Sequence, residues 1–197
     1  MSNYFLFNNP DLIENMSLRI VRSNALTESP YTFQQQVQYS SHIGKWEADV
    51  KIKPLQGNNL NEFQAFLASL RGRREFFPLP IYHQWNVNQE TQLTNITTNY
   101  TARDVGDTLI YTDNTQAGAR GRIFDIDKRL HIVTDYSSYQ NLKIEPPVTT
   151  TIPVGRDVNF DDPAGFFRLE SDTVQFDINN AITSGFYFTC VQHIDYT

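Results

Sequence analysis

The chain has 197 residues, 40% of them hydrophobic, a net charge of −6 and one cysteine. That length suits one domain, or one carrying a small insert, and the apolar share excludes wholesale disorder. The single Cys190 excludes an internal disulfide framework and any cysteine-rich metal site, and no apolar run approaches the roughly 20 residues that cross a bilayer.

The first residues mix turn formers with short apolar runs. Tyr4–Phe7 reads as a strand stopped by Asn8-Asn9-Pro10. This start has no basic region and no long apolar stretch, so no secretory signal is expected. Leu18–Arg22 is a second strand, and Thr32–Tyr39 is extended after the turn at Ser29-Pro30. The clearest strand spans 46–53. Trp46, Ala48, Val50 and Ile52 alternate with Glu47, Asp49, Lys51 and Lys53, which predicts one buried and one wet face in an antiparallel sheet.

One helix is predicted over about 59–71. Leu60, Phe63, Phe66, Leu67 and Leu70 form its apolar stripe. Asn59 is placed to cap its start with Glu62 three residues on, and Gly72 suits the left-handed position after its last turn. Phe76–Ile81 then leaves the helix as an extended, proline-stiffened segment. A polar stretch from Asn86 to Asn99 precedes a β-unit over about 100–147. Its strands are Thr108–Tyr111, Arg122–Ile126, Leu130–Thr134 and Asn141–Ile144. Asp127-Lys128 and Ser137-Ser138 separate the last three, and Pro146-Pro147 closes the unit. Further strands follow at Gly165–Glu170, Thr173–Ile178 and Gly185–Ile194.

The charge is unevenly spread. Residues 1–82 carry +1, residues 83–154 carry −2 and residues 155–197 carry −5. A chain acidic overall is poorly suited to tight nucleic-acid binding, which phosphate neutralisation drives. Concentrated acidity instead predicts one acidic face.

No catalytic constellation emerges. His42, His83, His131 and His193 lack metal-ligand spacing, and Asp125-Ile126-Asp127 lacks the glycine and distal Glu of a calcium loop. Cys190 sits in an aromatic, β-rich run and reads as a buried small hydrophobe. Gly118–Arg122 has neither the ending nor the following helix of a phosphate loop, so a hairpin turn with a basic pair is the better reading. Trp46 lies on the apolar side of its strand and is assigned to the core. Trp85, in a polar segment, is the candidate glycan contact. The one basic cluster is Arg71, Arg73 and Arg74. It either complements the helix dipole as a solvated face or contacts another protein or a phosphate. Asp161 and Asp162 supply acidic partners for a subunit contact. No metal or cofactor is predicted.

The order of blocks resembles a family of tail-tip proteins of tailed bacteriophages, the minor tail or distal-tail-like proteins. The matching residues begin at Ser29-Pro30-Tyr31-Thr32 with the Gln34–Val37 run, then Trp46-Glu47-Ala48-Asp49-Val50. Next come Phe63–Gly72, with its "AFL..LRG" helix, and Phe76-Phe77. Gly106-Asp107, Leu130–Thr134, Ile144–Pro147, Val158, Pro163 and Phe167-Arg168-Leu169 complete the order. The chain departs from the pattern at Pro78-Leu79-Pro80, where a glycine-rich loop often stands.

The resemblance implies a non-enzymatic virion protein of the tail tip or baseplate hub, made in the host cytoplasm. Its partners would be copies of itself in a hexameric or trimeric ring, the tail tube, and other tip or fibre proteins. DNA would pass through the lumen, with no membrane insertion. The expected fold is mainly β, an antiparallel β-sandwich or barrel architecture with one packed helix. Residues 1–82 and 151–197 would form a sheet scaffold, with strands 46–53 and 185–194 pairing. Residues 83–150 would form an inserted or adjoining β-barrel-like unit. A carbohydrate-binding module, a head–tail connector, or a small hydrolase using Asp161 and Asp162 with a distant Glu are the alternatives.

Overall fold

In the computed structural model, residues 4–28, 30, 35–81, 96–114, 120–138, 140–173 and 184–194 are described. For 23–27, 35–43 and Ser184 the description is of the backbone alone. Trp85, His83 and the strand expected beyond Thr173 lie outside the described residues, as do residues 32–34 of the extended segment.

The chain is mainly β, built from two antiparallel sheets. Its start is a correction to the expected strand: Phe5–Asn8 form a short helical turn, α1. Asn8 N–H donates to the Tyr4 carbonyl at 2.9 Å, and the Asn9 side chain donates to Phe5 O at 2.9 Å. A four-residue apolar run has no readable period, and local side-chain hydrogen bonds decided it. Leu6 is buried, and Phe5 stacks on Phe66 at 5.6 Å.

β1 (Ile13–Glu28) and β2 (Gln35–Leu55) make a long hairpin, with Ile20 opposite Trp46 and Leu18 opposite Ala48. The alternation holds: Trp46, Ala48, Val50 and Ile52 are buried in one core. The opposite face carries ion pairs, and Arg19 and Lys45 cover Glu47 to 8% exposure. Arg19 Nε reaches Glu47 at 3.0 Å, and Lys51 Nζ reaches Glu14 at 2.9 Å. Asp49 accepts from Thr189 Oγ1 at 2.8 Å, and that bond leads the causes holding its carboxyl below the usual range.

α2 runs Gly57–Leu70, two residues earlier than expected. The cap is Gln56, without a side-chain bond, so Asn59 lies inside the helix. Asn58 instead donates to Glu62 at 2.8 Å. Phe63, Phe66, Leu67 and Leu70 face the core as the stripe predicts. At the carboxyl end Arg71 already takes the left-handed conformation at φ 51°, and Gly72 continues it at φ 68°.

β3 (Phe77–Pro80), β10 (Ala164–Leu169) and β11 (Ser184–Gln192) complete the first sheet in the order β1-β2-β11-β10-β3. The predicted pairing of 46–53 with 185–194 is present: Cys190 stands opposite Ala48 and Phe188 opposite Val50. Phe63 fills the space between helix and sheet, 4.8 Å from Phe186 between ring centroids.

The second sheet contains β4 (Ile96–Thr97), β5 (Leu109–Tyr111), β6 (Ile123–Ile126), β7 (Arg129–Ser138), β8 (Asn141–Glu145) and β9 (Asp157–Asn159). Their order is β4-β9-β6-β7-β8-β5. Ser137-Ser138 do not end a strand as expected; β7 continues through them and the turn includes Gln140. Because β9 belongs here, the sheet boundary falls near Pro163, beyond the 150/151 division read from the sequence. This sheet encloses its own core around Phe124, Ile144 and Phe160.

The two sheets are joined by specific polar contacts. Trp46 Nε1 donates to Leu130 O at 2.9 Å, and Phe166 N donates to Lys128 O at 3.0 Å. Asp125, 3% exposed, accepts from Ala164 N at 2.8 Å and Asn159 Nδ2 at 3.0 Å. Burial pushes its carboxyl above the usual range, while these donors and Lys128 pull it down. A buried carboxylate is tolerated only with such partners.

Candidate functional site

Arg71, Arg73 and Arg74 leave α2 where its last carbonyls need partners. Arg71 N donates to Ala68 O at 3.3 Å, and Glu75 N donates to Leu70 O at 3.1 Å. The three cations then diverge in use. Arg73 is spent inside the chain: its Nε donates to the Glu170 carbonyl, and its backbone N to Asp172 Oδ1 at 3.0 Å. Among the described residues Arg74 pairs only with its neighbour Glu75, at 3.6 Å. Arg71 is exposed, and among the described residues its side chain has no ion pair or hydrogen bond. The corner therefore presents Arg71 and Arg74 outward.

Asp161 and Asp162 lie on the turn between β9 and β10. Asn159 pins that turn, accepting from Asp162 N at 3.2 Å and donating to Asp162 O at 2.6 Å. Asp161 is half-buried and acts on the Arg122 guanidinium, which sits 5.5 Å over the Phe160 ring. Burial lowers the Arg122 pKa and Asp161 opposes it. The basic corner adjoins Glu170 after β10, whereas the two aspartates precede its Ala164 end. They are not brought together within the chain.

The remaining candidates resolve as structure. Cys190 is buried, its thiol 3.6 Å from Ala48 O, and burial pushes its pKa well up, so it is no thiolate nucleophile. His131 is buried beside Phe124, with its Nδ1 2.8 Å from Pro146 O. His193 stacks on Phe76 at 5.0 Å and meets Arg168 Nη2 at 3.3 Å. No group of His, Cys, Asp and Glu among the described residues could hold a metal ion.

Two features escaped sequence reading. Asp125 organises the junction between sheets; its only signal was a carboxylate inside the apolar run Ile123–Ile126. Tyr100 holds a positive φ of 66°, and the residue is 65% exposed. Nothing in its local sequence marks that conformation.

No protein-family model matches this chain, and no curated protein matches it in sequence.

Proposed function

We propose that this chain is a virion structural protein of a phage tail tip or baseplate hub. Copies assemble head to tail into a ring that joins the tail tube to distal tip or fibre proteins. The opening passes DNA, and the chain itself carries out no chemistry.

One observation carries the reading. Exposed cations stand beyond one end of β10 and carboxylates precede the other. The six residues of that strand span roughly 20 Å. Opposite charges on two separate ends of one chain suit a repeated heterologous contact, which closes into a ring when the rotation permits. The acidic bias of residues 155–197 fits the same scheme: a negative lumen repels DNA phosphates and lets the duplex slide. The order of the tryptophan strand, the helix, the aromatic strand and the second β-unit supports the tail-tip assignment through the resemblance stated above.

Native mass measurement with negative-stain imaging of the purified chain tests this reading. A closed oligomer with a central hole is expected. A strict monomer at concentrations approaching about 1 mM, where even weak self-association registers, overturns it.

A further inference from the structure

We propose that the neighbouring copy's Arg71 and Arg74 dock on a corner of the second β-unit built around Tyr100 and Asp104. This inference rests on the ring reading and names the acidic side of its contact.

Tyr100 is costly where it stands. A bulky non-glycine residue at φ 66° is strained, and this one is 65% exposed, so burial returns little. Its base is rigid. Asn99 Oδ1 accepts from Tyr100 N at 2.8 Å, and Arg103 is bonded to Ile152 through both backbone groups at 2.9 and 2.8 Å. The ring packs edge-on against Tyr111, 6.0 Å away, and Arg103 lies 4.3 Å over that second ring. One guanidinium already stacks on one tyrosine here. The outer tyrosine has no cation of its own chain among the described residues.

The surroundings match an incoming guanidinium. Asp104 is exposed, and among the described residues its carboxylate has no ion pair. Val105 at 64% exposed and Val154 at 52% stand on the same two loops, which the Arg103–Ile152 bonds and Gly155 N donating to Thr98 O tie together. An aromatic face, a free carboxylate and exposed aliphatic surface suit an arginine donor, the pairing typical of interface anchors. Among the described residues Arg71 is exposed and unpaired, and Arg74 beside it is exposed with Glu75 at 3.6 Å. Asp161 is a poorer acceptor, because Arg122 already feels its charge, and the exposed Asp162 has no exposed aromatic ring on its turn, since Phe160 is buried. The basic corner lies at the end of β10 away from the second sheet, since β10 starts beside Asp125 and ends beside Arg73. The contact therefore joins unlike surfaces and propagates head to tail.

The test uses the full chain in three forms: wild type, Tyr100→Ala, and the double variant Arg71→Glu with Arg74→Glu. All substituted side chains are exposed, and circular dichroism checks the fold. Self-association is read by native mass and light scattering. Each variant is expected to weaken it roughly tenfold or more. A Tyr100→Cys, Arg74→Cys chain should cross-link between copies, with the buried Cys190 silent. Wild-type rings with variants that assemble equally well and no cross-link would overturn this contact while leaving the ring reading intact. A wild type that stays monomeric removes both.

Discussion

The indole Nε1–H of Trp46 donates to the carbonyl of Leu130 at 2.9 Å, which ties the first sheet to β7 of the second. Leu130 also packs into the first core, and an added Cβ on Gly165 would lie 2.9 Å from its side chain. The sheets are thus fitted to one another rather than strung in series. A Trp46→Phe substitution keeps most of the apolar volume and leaves the Leu130 carbonyl buried without its donor. We expect a loss of about 1–3 kcal/mol, read from urea denaturation with an unchanged slope.

His131 makes the same junction sensitive to acid. It is buried against Phe124, and burial pushes its pKa from 6.5 down to about 4. A carbonyl only accepts, so the proton of the neutral ring sits on Nδ1, donated to Pro146 O at 2.8 Å. The folded state therefore disfavours the charged ring, and the unfolded chain binds the proton first. His131 contributes its stability fully above pH 6.5 and loses it as pH falls from 6.5 toward 4, by about 3 kcal/mol across the window. Denaturation midpoints at stepped pH should fall through that range in the wild type. In His131→Gln, which keeps an amide donor without titrating, the His131 share of that fall should be absent. Asp49 and Asp135, held below the usual carboxylate range, add a loss of the same sign only at the acid end of the window, and Asp125, pushed above that range by burial, opposes them; all three persist in the variant, so the difference between the two chains reads His131.

What could be read in advance follows from period and partner distance. The 46–53 strand and the α2 stripe were legible because each repeats every second or third to fourth residue over three or more turns of pattern. Their partners were harder. Cys190 opposite Ala48 is a pairing across 142 residues, suggested only by two runs of similar character. Phe5–Asn8 failed because four residues carry no period. The helix start failed because Gln56 caps it without a side-chain bond. The basic cluster was visible, but its division was not: Arg73 is claimed by the Glu170 carbonyl and Asp172, which lie 97 and 99 residues away. Tyr100 had no sequence signal, because a positive φ at tyrosine is imposed by the loops around it.

Gly72 is held by contact as well as by conformation. Its φ is 68°, and an added Cβ would lie 2.7 Å from the backbone Cα of Asp172. No rotamer change relieves a clash with backbone, and Asp172 also receives the Arg73 N–H at 3.0 Å. Gly72→Ala should cost about 2–3 kcal/mol. Gly57→Ala is the matched control: φ is 58° with nothing within 4 Å, so only the conformational cost of about 1 kcal/mol applies. Thermal melts of the two variants should separate accordingly. Equal losses would show that Asp172 does not confine Gly72.

Tyr100 should give the opposite sign in folding and assembly. At φ 66° a glycine carries no Cβ penalty, and the residue's 65% exposure means that little burial is forfeited when the side chain is removed. Tyr100→Gly should therefore stabilise the isolated chain by up to about 1 kcal/mol, raising the melting temperature by roughly 2–4 °C at low protein concentration. The same substitution removes the aromatic face offered to the neighbouring copy, so self-association should weaken. A tyrosine kept for packing within its own subunit would instead lower the melting temperature when removed. The two measurements on one variant thus separate strain held for a partner from strain compensated within the fold.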